Sequence, residues 1–477
     1  MIADLKPYAE YKESGLPWLG RVPGHWGQRR MKFLFKERVQ KGFPDEPLLA
    51  ATQSKGVVRK EDYGTRTVTA TKDFHLLKLV EIGDFVISLR SFEGGIEVAH
   101  CRGIISPAYT ILTPGRDATQ GYYSRFFKSA DFIRSLTLFV TGIREGQNID
   151  YERMSRAYMP LPPVEEQAAI GRFLDWANGR LERTIRAKRK VIALLNEQKQ
   201  AIIHRAVTRG LDPTVPLKPS GIPWLGDIPQ TWNGLQVRRV VSFVTSGSRG
   251  WANYYSDDGL IFLQSGNLGR SMSLNLSNIQ HVRPPDGAEG ERTRVRRNDV
   301  LICVTGALTG NVAIVDQDLP APAFVNQHVA LVRPKQEMIK PRFLAYALHS
   351  EVGRTQFKTN EYGGTKQGLG LGDVKSVFIP VPPLPQQRAI CAALDTEVAG
   401  FKEAISRLNR EIELLREYRT RLVADVVTGK LDVRDAAAQL PDETEAPELL
   451  ADADALADDG DDVEGADLDT ATEEAET

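Results

Sequence analysis

A thirteen-residue motif occurs twice in this 477-residue chain: SGLPWLGRVPGHW at Ser14 to Trp26 returns as SGIPWLGDIPQTW at Ser220 to Trp232, with eight of thirteen positions identical at an offset of 206. Repetition on this scale means two copies of one architecture rather than one large fold. A second pair supports this. MPLPPVEEQAAIGRFLD from Met159 matches IPVPPLPQQRAICAALD from Ile379 at an offset of 220, and LNEQKQAIIHRAVTRGLD from Leu195 matches LREYRTRLVADVVTGKLD from Leu415 at the same offset. The stretches Pro160 to Asp212 and Pro380 to Asp432 therefore align without insertion, while the region between the motifs is 14 residues longer in the second copy.

Each copy reads as a globular module of about 150 residues, a Pro-rich hinge and a long polar helix. GDFVISLR at Gly83 and NDVLICVT at Asn298 look like equivalent strands, continued by GGIEVA and TGNVAIV. YYSRFF at Tyr122 and RFLAYAL at Arg342 look like equivalent helices, expected near 121–138 and 341–358. With β-branched runs such as Val300 to Val304 and Val325 to Val332, these are α+β modules whose strand order the sequence does not give.

The hinges carry Pro162-Pro163 and Pro382-Pro383, which impose extended backbone and stop a helix from entering from upstream. Beyond them lie about 45 Pro-free residues, a rod of ~65 Å if helical. Apolar side chains recur at 4,3 spacing: Leu181, Ile185, Ile192, Leu195 and Ile202 in the first helix, and Phe401, Ile405, Leu408, Ile412, Leu415 and Leu422 in the second. Lys188, Lys199 and Arg419 interrupt the two stripes. So narrow a seam calls for one partner helix, as in a coiled coil, with packing of each helix on its own module as the alternative.

The formal net charge of −1 hides an uneven distribution. Residues 436–477 hold 16 Asp and Glu and no Lys or Arg, which leaves 61 basic against 46 acidic residues in 1–435. A body this basic suits a polyanion such as nucleic acid, and the acidic end is expected to stay unstructured. Cys101, Cys303 and Cys391 stand far apart without a CxxC pair and read as buried thiols in a reducing compartment. With no secretory h-region and no long apolar run, the expected location is the cytoplasm.

Catalytic motifs are missing. There is no GxxxxGK[ST], no GxGxxG after a strand, no HExxH, and no Asp/Asn-Pro-Pro-aromatic tetrapeptide of the kind that grips an amino group for methylation. The chain is expected to bind no cofactor or metal and to catalyse nothing itself.

Its loops suit DNA instead. Arg144, Gln147 and Asn148 precede the first hinge, and Thr365, Lys366 and Gln367 precede the second, among glycines that let backbone approach phosphate. Arg90 and Ser91 follow the first strand pair, and Thr305 the second; Arg249, Gln264 and Asn267 join this set. The alternative for all of them is an ordinary surface turn. Trp18, Trp26, Trp224 and Trp232, framed by prolines, read as packing residues rather than stacking platforms for bases.

The paired motifs SGLPWLGRVPGHW and SGIPWLGDIPQTW, the helix openings PLPPVEEQAAI and PVPPLPQQRAI, and the helix ends TRGLD and TGKLD resemble the DNA-specificity subunit of type I restriction-modification systems, over about residues 8–435. One departure is Glu165-Glu166-Gln167, which becomes Pro385-Gln386-Gln387 in the second copy. The resemblance implies two target recognition domains joined by two long helices that pair antiparallel, with approximate two-fold symmetry. The corresponding boundaries are 1–160 and 212–380 for the domains, 161–211 and 381–435 for the helices, and 436–477 for the acidic tail.

It further implies double-stranded DNA and two methyltransferase subunits as partners, the latter using S-adenosylmethionine to methylate adenine. Restriction/translocase subunits using ATP and Mg²⁺ would join the same core. Each domain would read half of a split DNA site, and because the two variable regions differ, the target should be asymmetric. A stand-alone bipartite DNA-binding regulator and a coiled-coil protein scaffold remain as other readings of the same residues.

Overall fold

The structure, a computed structural model, describes residues 5–53, 55–63, 73–141, 148–247, 250–269, 271–284, 290–361 and 368–441. It divides into two units, one formed by Met1–Arg189 with Asn409–Thr477 and the other by Lys190–Leu408. Each unit therefore takes in half of each long helix together with its own globular part.

In the first unit, β1 (Phe35–Arg38), β2 (Phe85–Ile87), β3 (Glu97–Val98) and β4 (Thr110–Pro114) form an antiparallel sheet of order β1-β4-β2-β3. Helices α1 (Gln120–Phe126) and α2 (Ala130–Leu136) follow, and then α3 (Val164–Arg209), whose residues 164–189 belong to this unit. The second unit repeats the plan. β5 (Val241–Ser246), β7 (Val300–Cys303), β8 (Val312–Ile314) and β10 (Val329–Pro334) form an antiparallel sheet of order β5-β10-β7-β8. It also has a second four-stranded sheet, in which β6 (Leu260–Leu263) runs parallel to β9 (Ala323–Val325). Helices α4 (Pro341–His349), α5 (Glu351–Asn360) and α6 (Leu384–Val427) complete it, the last shared with the first unit.

Three expected elements are each broken in two. Each of the equivalent helices expected near 121–138 and 341–358 is a pair, interrupted in the first unit near Ser129, whose Oγ donates to the Phe126 carbonyl at 2.7 Å, and in the second at Ser350, whose Oγ donates to that of Ala347 at 2.7 Å. The apolar run expected as one strand from Val325 to Val332 is divided by Asn326-Gln327-His328 into β9 and β10, which belong to different sheets.

The starts of the main strands are built alike. Gly83 (φ 88°) and Asn298 (φ 74°) take left-handed backbone just before a buried aspartate. Asp84 accepts from the Glu81 N–H at 2.9 Å and from both Nε and Nη2 of Arg38, at 2.7 and 3.3 Å. Asp299 accepts from the Arg296 N–H at 2.7 Å and from Nε and Nη2 of Arg333, both at 2.8 Å. The arginine has moved from the first of the four strands in chain order to the last in chain order, and the two-pronged pair is kept.

The hinges are the most conserved part of the plan within the chain. Tyr158–Leu161 pairs antiparallel with Gly27–Arg30, and Phe378–Val381 with Asn233–Gln236, in corresponding register. At the start of each long helix a fully buried glutamine ties three segments together. Gln167 donates to the carbonyls of Pro162 and Asp117, both at 2.9 Å, and accepts from the Thr119 N–H at 2.9 Å, the residue before α1. Gln387 donates to Pro382 at 2.8 Å and Met338 at 3.1 Å, and accepts from the Lys340 N–H at 2.7 Å, the residue before α4.

One position earlier, Glu166 accepts from the Trp26 indole at 2.9 Å and Gln386 from that of Trp232 at 2.7 Å. Trp26 and Trp232 are accordingly buried, Trp18 lies half-buried against Phe126 and Phe132, and Trp224 is 43% exposed.

The helix seam pairs within each unit. In the first, Arg419 donates to Glu182 at 2.9 Å and Lys188 pairs with Glu411. Partner numbers rise on one helix as they fall on the other, so the pairing is antiparallel. Two of the three basic residues that interrupt the stripes are thus the ones that take carboxylates from the facing helix. In the second unit, Ile202, Ile203, Ala206 and Val207 near the end of α3 share a core with Ile390, Cys391, Leu394 and Val398 near the start of α6. All eleven apolar seam residues expected from sequence are buried or half-buried: Leu181, Ile185, Ile412 and Leu422 fully, the other seven partly.

The first unit also joins the two ends of the described chain. The Asp432 N–H donates to the Lys6 carbonyl at 2.8 Å, the Tyr11 hydroxyl to that of Lys430 at 3.1 Å, and the Tyr8 hydroxyl to Glu166 at 2.6 Å.

Two outcomes test this account. Gln387→Ala strands the Lys340 N–H and two carbonyls in a dry site and is expected to cost about 2–4 kcal/mol, read as a lower urea midpoint of the full chain. Burial, followed by the positive charges of Arg354, Lys199 and Lys402, pushes the His349 imidazole down from 6.5 to about 3. The folded chain keeps it neutral while the unfolded chain takes up a proton, so stability falls as pH drops from about 6.5 towards 3, by up to about 1.4 kcal/mol per pH unit. His349→Gln is expected to flatten the midpoint-versus-pH curve over that window.

Candidate nucleic-acid interface

In the second unit several strand ends converge on one edge. β6 and β9 are parallel and end together at Leu263 and Val325, and the Asn326 N–H donates to the Leu263 carbonyl at 2.9 Å. The Gly247 N–H, just past β5, donates to the Asn326 carbonyl at 3.1 Å. Past β7, the Val304 N–H donates to the His328 carbonyl at 2.9 Å, and Thr305 bridges Gly368. Gln264, Thr305 and the turn 326–328 thus lie along one edge.

The side chains on this edge divide into two kinds. Asn267 is buried and spent on its own loop: its Oδ1 accepts from the Gln264 N–H at 2.8 Å and its Nδ2 donates to the carbonyls of Asn275 and Asn278, both at 3.0 Å. Gln264 is half-buried and donates to the Tyr255 hydroxyl at 3.0 Å. Thr305 is half-buried and its hydroxyl is bound to His328 Nδ1. Gln327 is exposed, and its Nε2 lies 3.1 Å from His328 Nε2. Sequence reading passed over Gln327 and His328 because they sit inside what looked like one apolar strand; three successive polar residues in that run were the signal.

The first unit offers Arg90 and Ser91 just past β2. Arg90 is exposed, while Ser91 is buried and its Oγ accepts from the Ser88 N–H at 2.8 Å, so the serine shapes the loop that displays the arginine. The loop is packed hard from behind: a side chain at Gly95 (φ 84°) would meet the Phe127 carbonyl at 2.2 Å, and Lys128 donates to the Gly94 carbonyl at 2.8 Å. Asn148 lies in a short strand paired with Thr141. Arg144, Gln147, Arg249, Thr365, Lys366 and Gln367 lie outside the described residues.

Among the described residues no group of three or more His, Cys, Asp or Glu could hold a metal ion, and no helix is long and apolar enough to cross a membrane. Cys101, Cys303 and Cys391 are free thiols, the last two buried.

Residues 289–414, which include β7 to β10, match the family described as the type I restriction modification DNA specificity domain. The chain is similar to the type I restriction enzyme EcoBI specificity subunit of Escherichia coli, 22% identical over 320 residues that cover 65% of this chain and 66% of that one. It is also similar to the putative type I restriction enzyme MjaX specificity subunit of Methanocaldococcus jannaschii, 23% identical over 447 residues that cover 87% and 96% of the two chains. Among solved structures, a chain from work on complex assembly and conformational transition of the type I restriction-modification system shares the fold, with a TM-score of 0.62 and 18% identity over 86% of this chain and 99% of that one. The matched domain, both of these relatives and this solved structure all bear names that refer to type I restriction enzymes or restriction-modification systems.

The rigidity of the edge can be tested directly. A side chain at Gly247 would meet the Val325 carbonyl at 2.1 Å and the Asn326 carbonyl at 2.6 Å. Gly247→Ala is expected to lower stability by about 2 kcal/mol or more and to raise amide exchange in 326–329, read by hydrogen–deuterium exchange.

Proposed function

We propose that this chain is the address-bearing part of a DNA methylation and restriction complex: it reads a two-part, asymmetric DNA sequence and leaves the chemistry to partners. The observation that carries this reading is that two units share a sheet order, a hinge and a helix lock yet differ in the side chains at their loop edges. Equal scaffolds with unequal edges suit two half-sites of different sequence. The basic balance of residues 1–435, 61 Lys and Arg against 46 Asp and Glu, suits the phosphate backbone.

The long helices would fix the gap between half-sites. They would also dock two methyltransferase subunits, which supply S-adenosylmethionine chemistry on adenine, and restriction subunits that use ATP and Mg²⁺. Val191, Leu194, Leu414 and Tyr418, which project from these helices outside the seam, are between 41 and 54% exposed and would give such partners apolar contacts.

Mapping methylated adenines by long-read sequencing, in cells with and without the gene, tests the reading. A two-part motif that disappears with the gene is expected. Removing seven residues from each facing stretch, Leu181–Ala187 and Ile412–Tyr418, keeps the seam register and is expected to shorten the unread gap while leaving both half-sites unchanged. An unchanged gap would count against the helices as the spacer.

A further inference from the structure

The turn between β9 and β10 presents one side-chain amide in a defined orientation. Asn326 is buried and its Oδ1 accepts from the His328 N–H at 3.0 Å, closing the turn from inside. The Val329 N–H returns to the Asn326 carbonyl at 3.2 Å. Gln327 is left exposed at the tip.

Hydrogen-bond bookkeeping then sets the roles. Gln327 Nε2 carries only donors, so at 3.1 Å from His328 Nε2 it requires that nitrogen to accept. On the other side of the ring, Nδ1 is within hydrogen-bond reach of the Thr305 hydroxyl. The relay from Thr305 through His328 uses one N–H of the Gln327 amide. Oε1 and the other N–H lie in the same amide plane, a donor and an acceptor of the kind that meet N7 and the N6 amino group of adenine in the major groove.

The corresponding turn of the first unit lacks this device. Pro114 aligns with Pro334 at the repeat offset, which sets Ser106-Pro107-Ala108 opposite Asn326-Gln327-His328. Ser106 Oγ accepts from the Ala108 N–H at 3.3 Å, the same closing bond, but the tip is a proline. The scaffold of the turn is common to both units, and the oriented amide belongs to one.

We infer that Gln327 reads an A·T base pair in the half-site served by the second unit, with His328 and Thr305 as the positioning residues that fix its amide. This rests on the DNA-reading function proposed above and adds a base and three residues to it. An amide already fixed by its neighbours loses little rotamer freedom on binding, so most of the contact appears as discrimination.

The test is selection of bound duplexes from a random-sequence library by the full chain. If the wild-type chain enriches no motif, the DNA-reading function itself fails and the inference goes with it. If it enriches a two-part motif, Gln327→Leu is expected to lose an A·T preference at one position, by about 5- to 100-fold, with all other positions retained. His328→Leu should broaden that same position, whereas a purely structural role for His328 would weaken all positions evenly.

Duplexes carrying 7-deazaadenine, which lacks the N7 acceptor, provide a second readout that needs no variant. One adenine in one half-site should become sensitive for the wild-type chain, and for a folded Gln327→Leu chain that sensitivity should be absent. A Gln327→Leu motif identical to wild type, loss of a preference for G·C instead, or indifference of every adenine to the deaza substitution would overturn the assignment.

Discussion

Two buried glutamines carry much of the architecture. Gln167 and Gln387 each bind the carbonyl of the first hinge proline, a backbone carbonyl in the segment before the first helix that follows the main sheet, and the N–H of the residue that opens that helix. The Pro-Pro step supplies no N–H of its own to pair and cannot continue as helix, so some other group has to fix the angle at which the long helix leaves the module. An amide offers donors and an acceptor in one plane and meets all three segments at once. Because each glutamine sits in the first turn of its long helix, the direction of that helix and the placement of α1 or α4 become one problem with one solution, used in both units.

Around this lock the two units diverge where chemistry permits. The indole of the repeated tryptophan is received by Glu166 in one and by Gln386 in the other. Only the glutamate, which also takes the Tyr8 hydroxyl and pairs with His25, gathers the N-terminal segment around it. The arginine that satisfies the buried aspartate comes from the first of the sheet's strands in chain order in one unit and from the last in chain order in the other. What is kept is the satisfied hydrogen bond and not the residue that supplies it, as expected if an unpartnered buried polar group is the larger penalty.

The sequence disclosed those features that repeat or have a period. The Pro-Pro steps marked the helix starts, and 4,3 spacing marked positions on the long helices that are buried, such as Ile185 and Leu422. Strand order was invisible because antiparallel pairing between distant segments leaves no local trace. The helix breaks at Ser129 and Ser350 were hidden because a serine in an apolar run reads equally as a solvent-facing helix position. The Asn326-Gln327-His328 turn was missed for the opposite reason: the strongly apolar residues on both sides matched a single strand, and only hydrogen bonds far apart in sequence, from Gly247 and to Leu263, reveal the corner. Ser91 and Asn267, singled out for their chemistry, turn out to spend their polar groups inside the loops they shape.

The core of the first unit draws Leu422, Val426, Val427, Val433 and Ala437 from the far end of the chain, and the Tyr122 hydroxyl donates to the Val427 carbonyl at 2.8 Å. The second unit, Lys190–Leu408, is one uninterrupted stretch. On a ribosome the usual order of maturation is therefore reversed. The downstream module has all its parts while the upstream one still lacks a wall of its interior, and Trp26, Tyr122 and Phe173 have to wait, partly uncovered, until residues 422–437 have been made. Any chaperone demand during synthesis should fall on the half that is made first and finished last.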